Sequence, residues 1–112
     1  MRKFYKAALA AFAIFAAAPA GAGVLDEVIK RGTLNCGTDN TAPGFGYLNT
    51  TTGKMEGIDV DFCRAVAAAI FDDPKKVKFV PLYASERFKE LRDRKIDILS
   101  RNTTWTLTRD AS

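Results

Sequence analysis

The 112-residue sequence contains no histidine, only two cysteines and only one tryptophan. Without histidine, catalysis by an imidazole base and metal sites built on imidazole are excluded. Two cysteines alone make a poor zinc site, because structural zinc takes four ligands. No motif places a nucleophile beside a base, and the short glycine-containing segments do not form a phosphate-binding loop. The sequence gives no positive evidence for catalysis, and we expect no metal and no cofactor.

The first 22 residues have the composition of a secretory signal peptide. Three basic residues within Met1–Lys6 precede an apolar run, Ala7–Ala18, and small residues follow, with a cleavage site best placed after Ala22. The apolar run is too short to span a bilayer comfortably, so an uncleaved membrane anchor fits the sequence less well. We therefore expect export to the periplasm, removal of residues 1–22 and a fold formed by residues 23–112.

Removal of the signal peptide changes the charge balance. The whole chain has 17 basic and 13 acidic residues, a net charge of +4. Three of the basic residues and none of the acidic ones lie in the signal peptide, which leaves 14 against 13 and a net charge of +1. The remaining basic residues are interspersed with acidic ones, as on a solvated surface. This balance gives no case for nucleic acid as a partner.

The first half of the mature chain alternates between helix and strand signals. A short helix with Gly32 as its stop precedes a strand at Thr33–Thr38, and a hairpin turns at Thr50–Gly53. The strongest helix begins near Asp59, where an acidic residue suits the helix dipole. Its apolar face carries Val60, Cys63, Val66, Ala67 and Ile70.

The second half repeats the alternation. A strand that is apolar at Val77 and Phe79 is predicted to lie in the core, a helix with Ser85 as its N-cap and Phe88 and Leu91 on its apolar face follows, and Ile96–Ser100 forms a third strand. Strands that alternate with helices are typical of an α/β fold with parallel strands. Ligands of such sheets bind at the carboxyl ends of the strands. Polar loops follow the first and third strands, so we expect a site between these loops.

The segment Ser100–Asp110 supplies the best candidate ligand groups. Its hydroxyl and amide side chains, Asn102 and Thr104 among them, lie close in sequence to Arg109, whose guanidinium can bind a carboxylate through two hydrogen bonds. From composition alone, Arg109 is better explained as an exposed surface residue, and Asn102 and Thr104 equally well as turn or capping residues. Trp105 is predicted to lie in the core.

The two cysteines are predicted to lie near each other. Cys36 belongs to the first strand, and Cys63 lies on the apolar face of the helix that packs on this strand. An exported protein can form one disulfide from such a pair, but two buried free thiols fit the sequence equally well. The sequence does not decide between the disulfide and the free thiols.

Four stretches of the mature chain carry a family resemblance when they are taken together: LDEVIKRGTLNCGT, MEGIDVDFCRAVAAAIF, KVKFVPLYASERFKEL and KIDILSRNTTWTLTRD. They resemble the start of the extracellular solute-binding proteins of polar amino-acid ABC transporters, and most closely the general L-amino-acid-binding branch. The resemblance implies a periplasmic-binding-protein-like α/β lobe. It also implies a monomer that captures L-amino acids, performs no chemistry and delivers its ligand to a membrane permease.

The resemblance also implies roles for individual residues. In the family, the arginine that ends the Ser/Thr segment pairs with the ligand carboxylate, which matches Arg109, and polar residues that match Asn102 and Thr104 hydrogen-bond the ligand. An aromatic residue of the first loop covers the ligand in many members. The tyrosine found there in those members is missing here, and Phe45 is the nearest candidate. Tyr83, after the second strand, is a candidate lining residue.

One departure from the family is large. The family continues well beyond the position of Ser112, so the resemblance covers only the amino-terminal part of lobe one. The acidic residue that holds the ligand ammonium group, the hinge and the second lobe belong to the part beyond. We therefore expect a fragment of a longer protein or a truncated, non-functional remnant. Two rival functions also fit the scaffold, a periplasmic enzyme such as a dehydratase and a sensor module.

Overall fold

A computed structural model describes residues 23–111. The predicted signal peptide, residues 1–22, and Ser112 lie outside this range. The elements within it are α1 (Val24–Arg31), β1 (Leu34–Thr38), β2 (Thr41–Ala42), β3 (Gly46–Asn49), β4 (Lys54–Glu56), α2 (Ile58–Phe71), β5 (Val77–Pro81), α3 (Arg87–Arg92), β6 (Ile98–Leu99) and α4 (Leu107–Asp110). None of these helices is long and apolar enough to cross a membrane.

The main sheet has three parallel strands in the order β5-β1-β6. Leu34 of β1 pairs with Val77 of β5, and Cys36 pairs with Ile98 of β6. The predicted α/β fold with parallel strands is confirmed. Strand β5 packs against the core through Val77, as predicted, but it is an edge strand and its apolar side chains, including Phe79, are only half-buried.

Helix α2 covers one face of this sheet, as its apolar pattern predicts. Val60, Cys63 and Ala67 are fully buried. The core beneath the helix continues through Leu34 of β1 and Val28 of α1. Burial of a complete aliphatic side chain contributes roughly 1.5–3 kcal/mol, so this contact is the main source of the lobe's cohesion.

Helix α1 closes the amino end of the main sheet. Gly32 ends the helix in a left-handed conformation, with φ of 74°, and its amide donates to the carbonyl of Val28 over 3.0 Å. Arg31, in the last turn, pairs with Asp97, which lies directly before β6. The same carboxylate accepts the amide N–H of Asn35 in β1 over 2.7 Å. Three elements are thus joined at one buried carboxylate.

Three local predictions in the second half of the chain are wrong. Helix α3 begins after Glu86 without a side-chain cap, because Ser85 lies inside a turn that the Glu86 amide closes on the carbonyl of Tyr83. The buried residue of α3 is Arg87, whereas Leu91 is 37% exposed. Trp105 is 81% exposed, since no element of the described part of the chain packs over it.

The predicted hairpin forms a second, antiparallel sheet of β2, β3 and β4. Its loop at Phe45 is fastened to the start of α2, because the Asp59 amide donates to the Phe45 carbonyl over 3.0 Å. Gly57, with a φ of 122°, allows the Phe45 carbonyl to come this close to the start of α2. A Cβ atom at Gly57 would lie 2.1 Å from the Phe45 carbonyl oxygen.

The two cysteines meet between β1 and α2. Cys36 and Cys63 are both fully buried, and their Cα atoms are 6.2 Å apart with the sulfur atoms at bonding distance. This Cα separation lies within the range of protein disulfides. We propose that the two residues form a disulfide.

Candidate ligand-binding site

An open groove of about 630 Å³ lies beside the carboxyl end of β6. Its apolar side chains come from the Phe45 loop and the first turns of α2, and its polar ones from Asp59 of α2 and from the segment after β6. The lining residues are Phe45, Ile58, Asp59, Phe62, Ser100, Asn102, Thr103 and Thr104. A concave surface that combines apolar walls with a few polar groups suits a small organic ligand.

Asp59 fixes the polar segment of this groove. Its carboxylate accepts the amide N–H of Asn102 over 2.8 Å and the hydroxyl of Ser100 over 3.4 Å. Asn102 has a φ of 22°, a conformation that most residues avoid and that asparagine tolerates. The hydrogen bonds to Asp59 therefore hold Asn102 in place. Only a helix-dipole role was predicted for Asp59, because a contact so distant in sequence leaves no local signal.

Arg101 holds the same segment from another direction. Its Nη2 pairs with the carboxylate of Asp39 over 2.9 Å, its Nε donates to the Leu82 carbonyl over 2.8 Å and its Nη1 donates to Oδ1 of Asn102 over 3.2 Å. The side chains of Arg101 and Asp39 are 12% and 9% exposed. This buried pair was also not predicted from the sequence.

Asp39 is held as a carboxylate. Burial raises its pKa, but the hydrogen bonds from the Thr41 amide and hydroxyl and the charge of Arg101 outweigh this effect, so the pKa of Asp39 lies below its usual value. The two Thr41 bonds measure 2.9 and 2.8 Å. Asp39, Arg101 and the predicted lining residue Tyr83 border a second, smaller concavity of about 320 Å³.

The structure brings together three of the five predicted ligand residues. Phe45, Asn102 and Thr104 line the groove. Tyr83 borders the second concavity, with its ring largely exposed. The guanidinium of Arg109 lies elsewhere, 5.1 Å from the centre of the Phe88 ring, although its Nη1 donates to the carbonyl of Thr104 over 2.6 Å. Arg109 is thus tied to the backbone of the groove but does not line it.

Positive charge accumulates around this end of the sheet. Arg87 is buried, and its Nη1 donates to the carbonyl of Arg101 over 3.4 Å. Burial lowers the pKa of Arg87, and the nearby charges of Arg101 and Arg109 lower it further. A guanidinium stays charged even so, and the carboxylates of Asp39 and Asp59 lie at the same end of the sheet. Residues 23–111 contain no group of three or more side chains that could hold a metal ion.

The sequence matches the family model of the bacterial extracellular solute-binding proteins, family 3, over residues 34–112. The match covers more than half of the chain and includes both concavities. The chain therefore belongs to this family, as its resemblance implies.

Two relatives are similar in sequence to most of this chain. The putative amino-acid ABC transporter-binding protein YhdW of Escherichia coli K12 is 51% identical over 99% of this chain and 33% of its own length. The general L-amino acid-binding periplasmic protein AapJ of Rhizobium johnstonii is 47% identical over 86% of this chain and 28% of its own. This chain spans about a third of the length of such relatives.

A solved structure agrees with these relatives. An ABC transporter periplasmic binding protein from Brucella ovis, with glutathione bound, superposes with a TM-score of 0.77 at 52% identity. The superposition covers 81% of this chain and 28% of the other. The α/β arrangement described above is therefore a part of a periplasmic-binding-protein fold.

Proposed function

We propose that this chain is the amino-terminal part of lobe one of a periplasmic protein that captures L-amino acids for an ABC transporter. The observation that carries the proposal is the groove, where the segment Ser100–Thr104 lies beside the apolar side chains of Phe45, Ile58 and Phe62. Backbone and side-chain donors suit a carboxylate, and the apolar wall suits the ligand's carbon chain. The names of YhdW and AapJ support the same ligand class.

In this proposal Asn102 and Thr104 hydrogen-bond the ligand, and Phe45 covers it. Arg109 binds the α-carboxylate after its guanidinium turns away from Phe88. A cation–π contact at an exposed site contributes about 0.5–1 kcal/mol, whereas a hydrogen bond to a charged group contributes about 1.5–3 kcal/mol. Two such bonds to a carboxylate outweigh the contact with Phe88, and the bond from Arg109 to the Thr104 carbonyl keeps this residue beside the groove.

The finer parts of the function belong to the same proposal. We propose cleavage of residues 1–22, a periplasmic location, a monomer, and delivery of the ligand to a membrane permease. We also propose capture without chemistry, because the relatives are named as binding proteins and no reactive pair stands among the described residues that line the groove. Release of a product from a carboxylate substrate would favour a dehydratase-like enzyme instead.

Calorimetry of the whole chain tests this proposal. The chain is expressed with its own amino-terminal segment, recovered from the periplasmic fraction and titrated with a panel of L-amino acids. We expect saturable binding, and Thr104→Val should weaken it roughly tenfold by removing one hydrogen bond to a charged group. Thr51→Val, in the exposed β3–β4 turn, is the matched control and should bind as the unaltered chain does. Absence of binding to every amino acid would contradict the proposal.

A further inference from the structure

We infer that Arg101 is a positioning residue that also determines which side-chain charge the site accepts. The inference rests on the proposed function and adds a residue and a selectivity to it. Arg101 does not itself line the groove. Arg101 acts by contacting two other residues. One is Asn102, which lines the groove, and the other is Asp39, which borders the smaller concavity.

The geometry of Arg101 joins all three strand ends of the main sheet. Asp39 directly follows β1, Leu82 directly follows β5, and Asn102 lies shortly after β6. The guanidinium contacts each of them through a different nitrogen, at 2.9, 2.8 and 3.2 Å. Only a planar fork with several fixed donors can make these contacts together, and a lysine ammonium cannot. Arg101 therefore fixes Asn102 relative to the other two loops.

The charge of Arg101 has a second consequence. Among residues 23–111, Asp39 is the only acidic residue that borders the smaller concavity, whose other lining residues are Asn40, Thr41, Pro81, Leu82, Tyr83 and Arg101. An unpaired carboxylate in a half-enclosed site attracts a cation, and a carboxylate paired with arginine does so much less. Asn102 lines the groove and the residue before it, Arg101, borders the concavity, so the inference places the ligand side chain against this concavity. Arg101 thus directs the site toward uncharged and acidic amino acids and away from lysine.

Three variants of the whole chain separate position from charge, with L-glutamine, L-glutamate and L-lysine as probes in calorimetry. Arg101→Met should weaken glutamine binding roughly tenfold and strengthen lysine binding by a similar factor, because Asp39 is then unpaired. Arg101→Lys keeps the charge but not the fork, so it should weaken glutamine and still exclude lysine. Asp39→Asn combined with Arg101→Met should remove the gain for lysine.

The matched control is Arg31→Met. Arg31 also pairs with a buried aspartate, Asp97, but at the amino end of the sheet. This variant should lose stability and leave the order of preference among the three amino acids unchanged. If Arg101→Met weakens all three amino acids equally, as Arg31→Met could through stability alone, the inference is overturned.

A ligand-independent measurement keeps the inference apart from the proposed function. In a carboxyl NMR titration, Arg101→Met should raise the pKa of Asp39, since it removes a charge that lowers that pKa. An unchanged titration of Asp39 would overturn the inference even if amino acids bind. If the unaltered chain binds no amino acid while the Asp39 titration shifts, the contact of Arg101 stands, but the proposed function and the selectivity that depends on it fail.

Discussion

The two ends of the parallel sheet use the same pair of residue types for different purposes. At the amino end, Arg31 and Asp97 join α1 to β1 and β6, next to the buried Val28. At the carboxyl end, Arg101 and Asp39 join loops, next to side chains that are far more exposed, such as Ile58 at 66%. The first pair lies beside the buried Val28, with Asp97 at the edge of a concavity of about 240 Å³, and the second borders the concavity of about 320 Å³.

This difference indicates where the chain gives up stability for function. A buried ion pair stabilises a fold only weakly relative to apolar packing, but it fixes geometry well. Fixed geometry has little use where the core is already packed, whereas loops around a ligand need it. Apolar side chains are exposed at both ends, Leu25 and Ile29 of α1 at the amino end and Ile58 and Phe62 of α2 at the carboxyl end. A substitution at one end of the sheet can therefore be compared with a matched substitution at the other end or at a nearby residue.

Reduction of the disulfide should have the largest effect, and it should destabilise both ends of the sheet. A disulfide between Cys36 and Cys63 closes a loop over a sequence separation of 27, which stabilises the chain by roughly 3.5 kcal/mol in the chain-entropy description. Reduction should therefore lower the urea midpoint and expose both ends to proteolysis alike. The intact, non-reduced mass of the periplasmic product should lie about two mass units below that of the dithiol. A dithiol mass would mean that the buried thiols are free.

The next effect is confined to the carboxyl end. Gly57→Ala places a Cβ atom against the Phe45 carbonyl in a backbone conformation that strains other residues, so we expect a loss of about 3 kcal/mol and no amino-acid binding. Gly53→Ala is the matched control, because Gly53 also has a positive φ, of 68°, but has nothing within 4 Å. It should cost only about 1 kcal/mol and retain binding. Equal losses in the two variants would show that the Phe45 contact has no special role.

A smaller effect is expected at the first turn of α2. Asp59→Ala removes the acceptor of the Asn102 amide and should cost about 1–2 kcal/mol, with amino-acid affinity reduced roughly tenfold. Asp61→Ala removes a neighbouring acidic residue that pairs with Arg64 on an exposed part of the helix. Chemical denaturation and calorimetry of both variants compare the two. If Asp61→Ala lowers the amino-acid affinity as much as Asp59→Ala does, the loss is due to the helix dipole and not to the Asn102 hydrogen bond.

The smallest expected effect is on the stability of the chain at low pH. The pKa of Asp39 is lowered in the folded chain from an ordinary value of 3.8, so between these two values the unfolded chain binds more protons than the folded chain. Its contribution to stability is complete above the unfolded value and is lost as the pH falls through the folded value. Urea midpoints measured from pH 5 downward, starting about one unit above the unfolded value, should fall less steeply for Asp39→Asn than for the unaltered chain. Parallel curves would contradict the ion pair at the carboxyl end.

The contrast between the two ends also explains which features could be predicted from the sequence. The stop of α1 at Gly32, the hairpin and the apolar face of α2 were predicted because each depends on neighbours within a few residues. The parallel strands and the site at their carboxyl ends followed from the general behaviour of parallel sheets. The sequence therefore predicts most of the structure at the amino end of the sheet, and at the carboxyl end it predicts which loops surround the groove.

The errors share a different cause. Arg101 and Asp59 were missed because their partners are distant in sequence, and a charge pattern alone does not reveal which loops meet. Trp105 was predicted to be buried from its residue type, whereas its burial depends on what packs over it. The placement of Arg109 over Phe88 likewise depends on tertiary contacts, and its predicted contact with a ligand carboxylate stays a prediction.

One titration tests the central claim that the carboxyl end of the sheet captures an amino acid. Amide NMR spectra of the whole isotope-labelled chain are recorded while L-glutamine is added. The account predicts shifts at Ser100–Thr104, Phe45 and Asp59, with Arg31, Asn35 and Asp97 at the amino end unchanged. Saturable shifts at the amino end, or no shifts with glutamine or with any other amino acid of the panel, would contradict it.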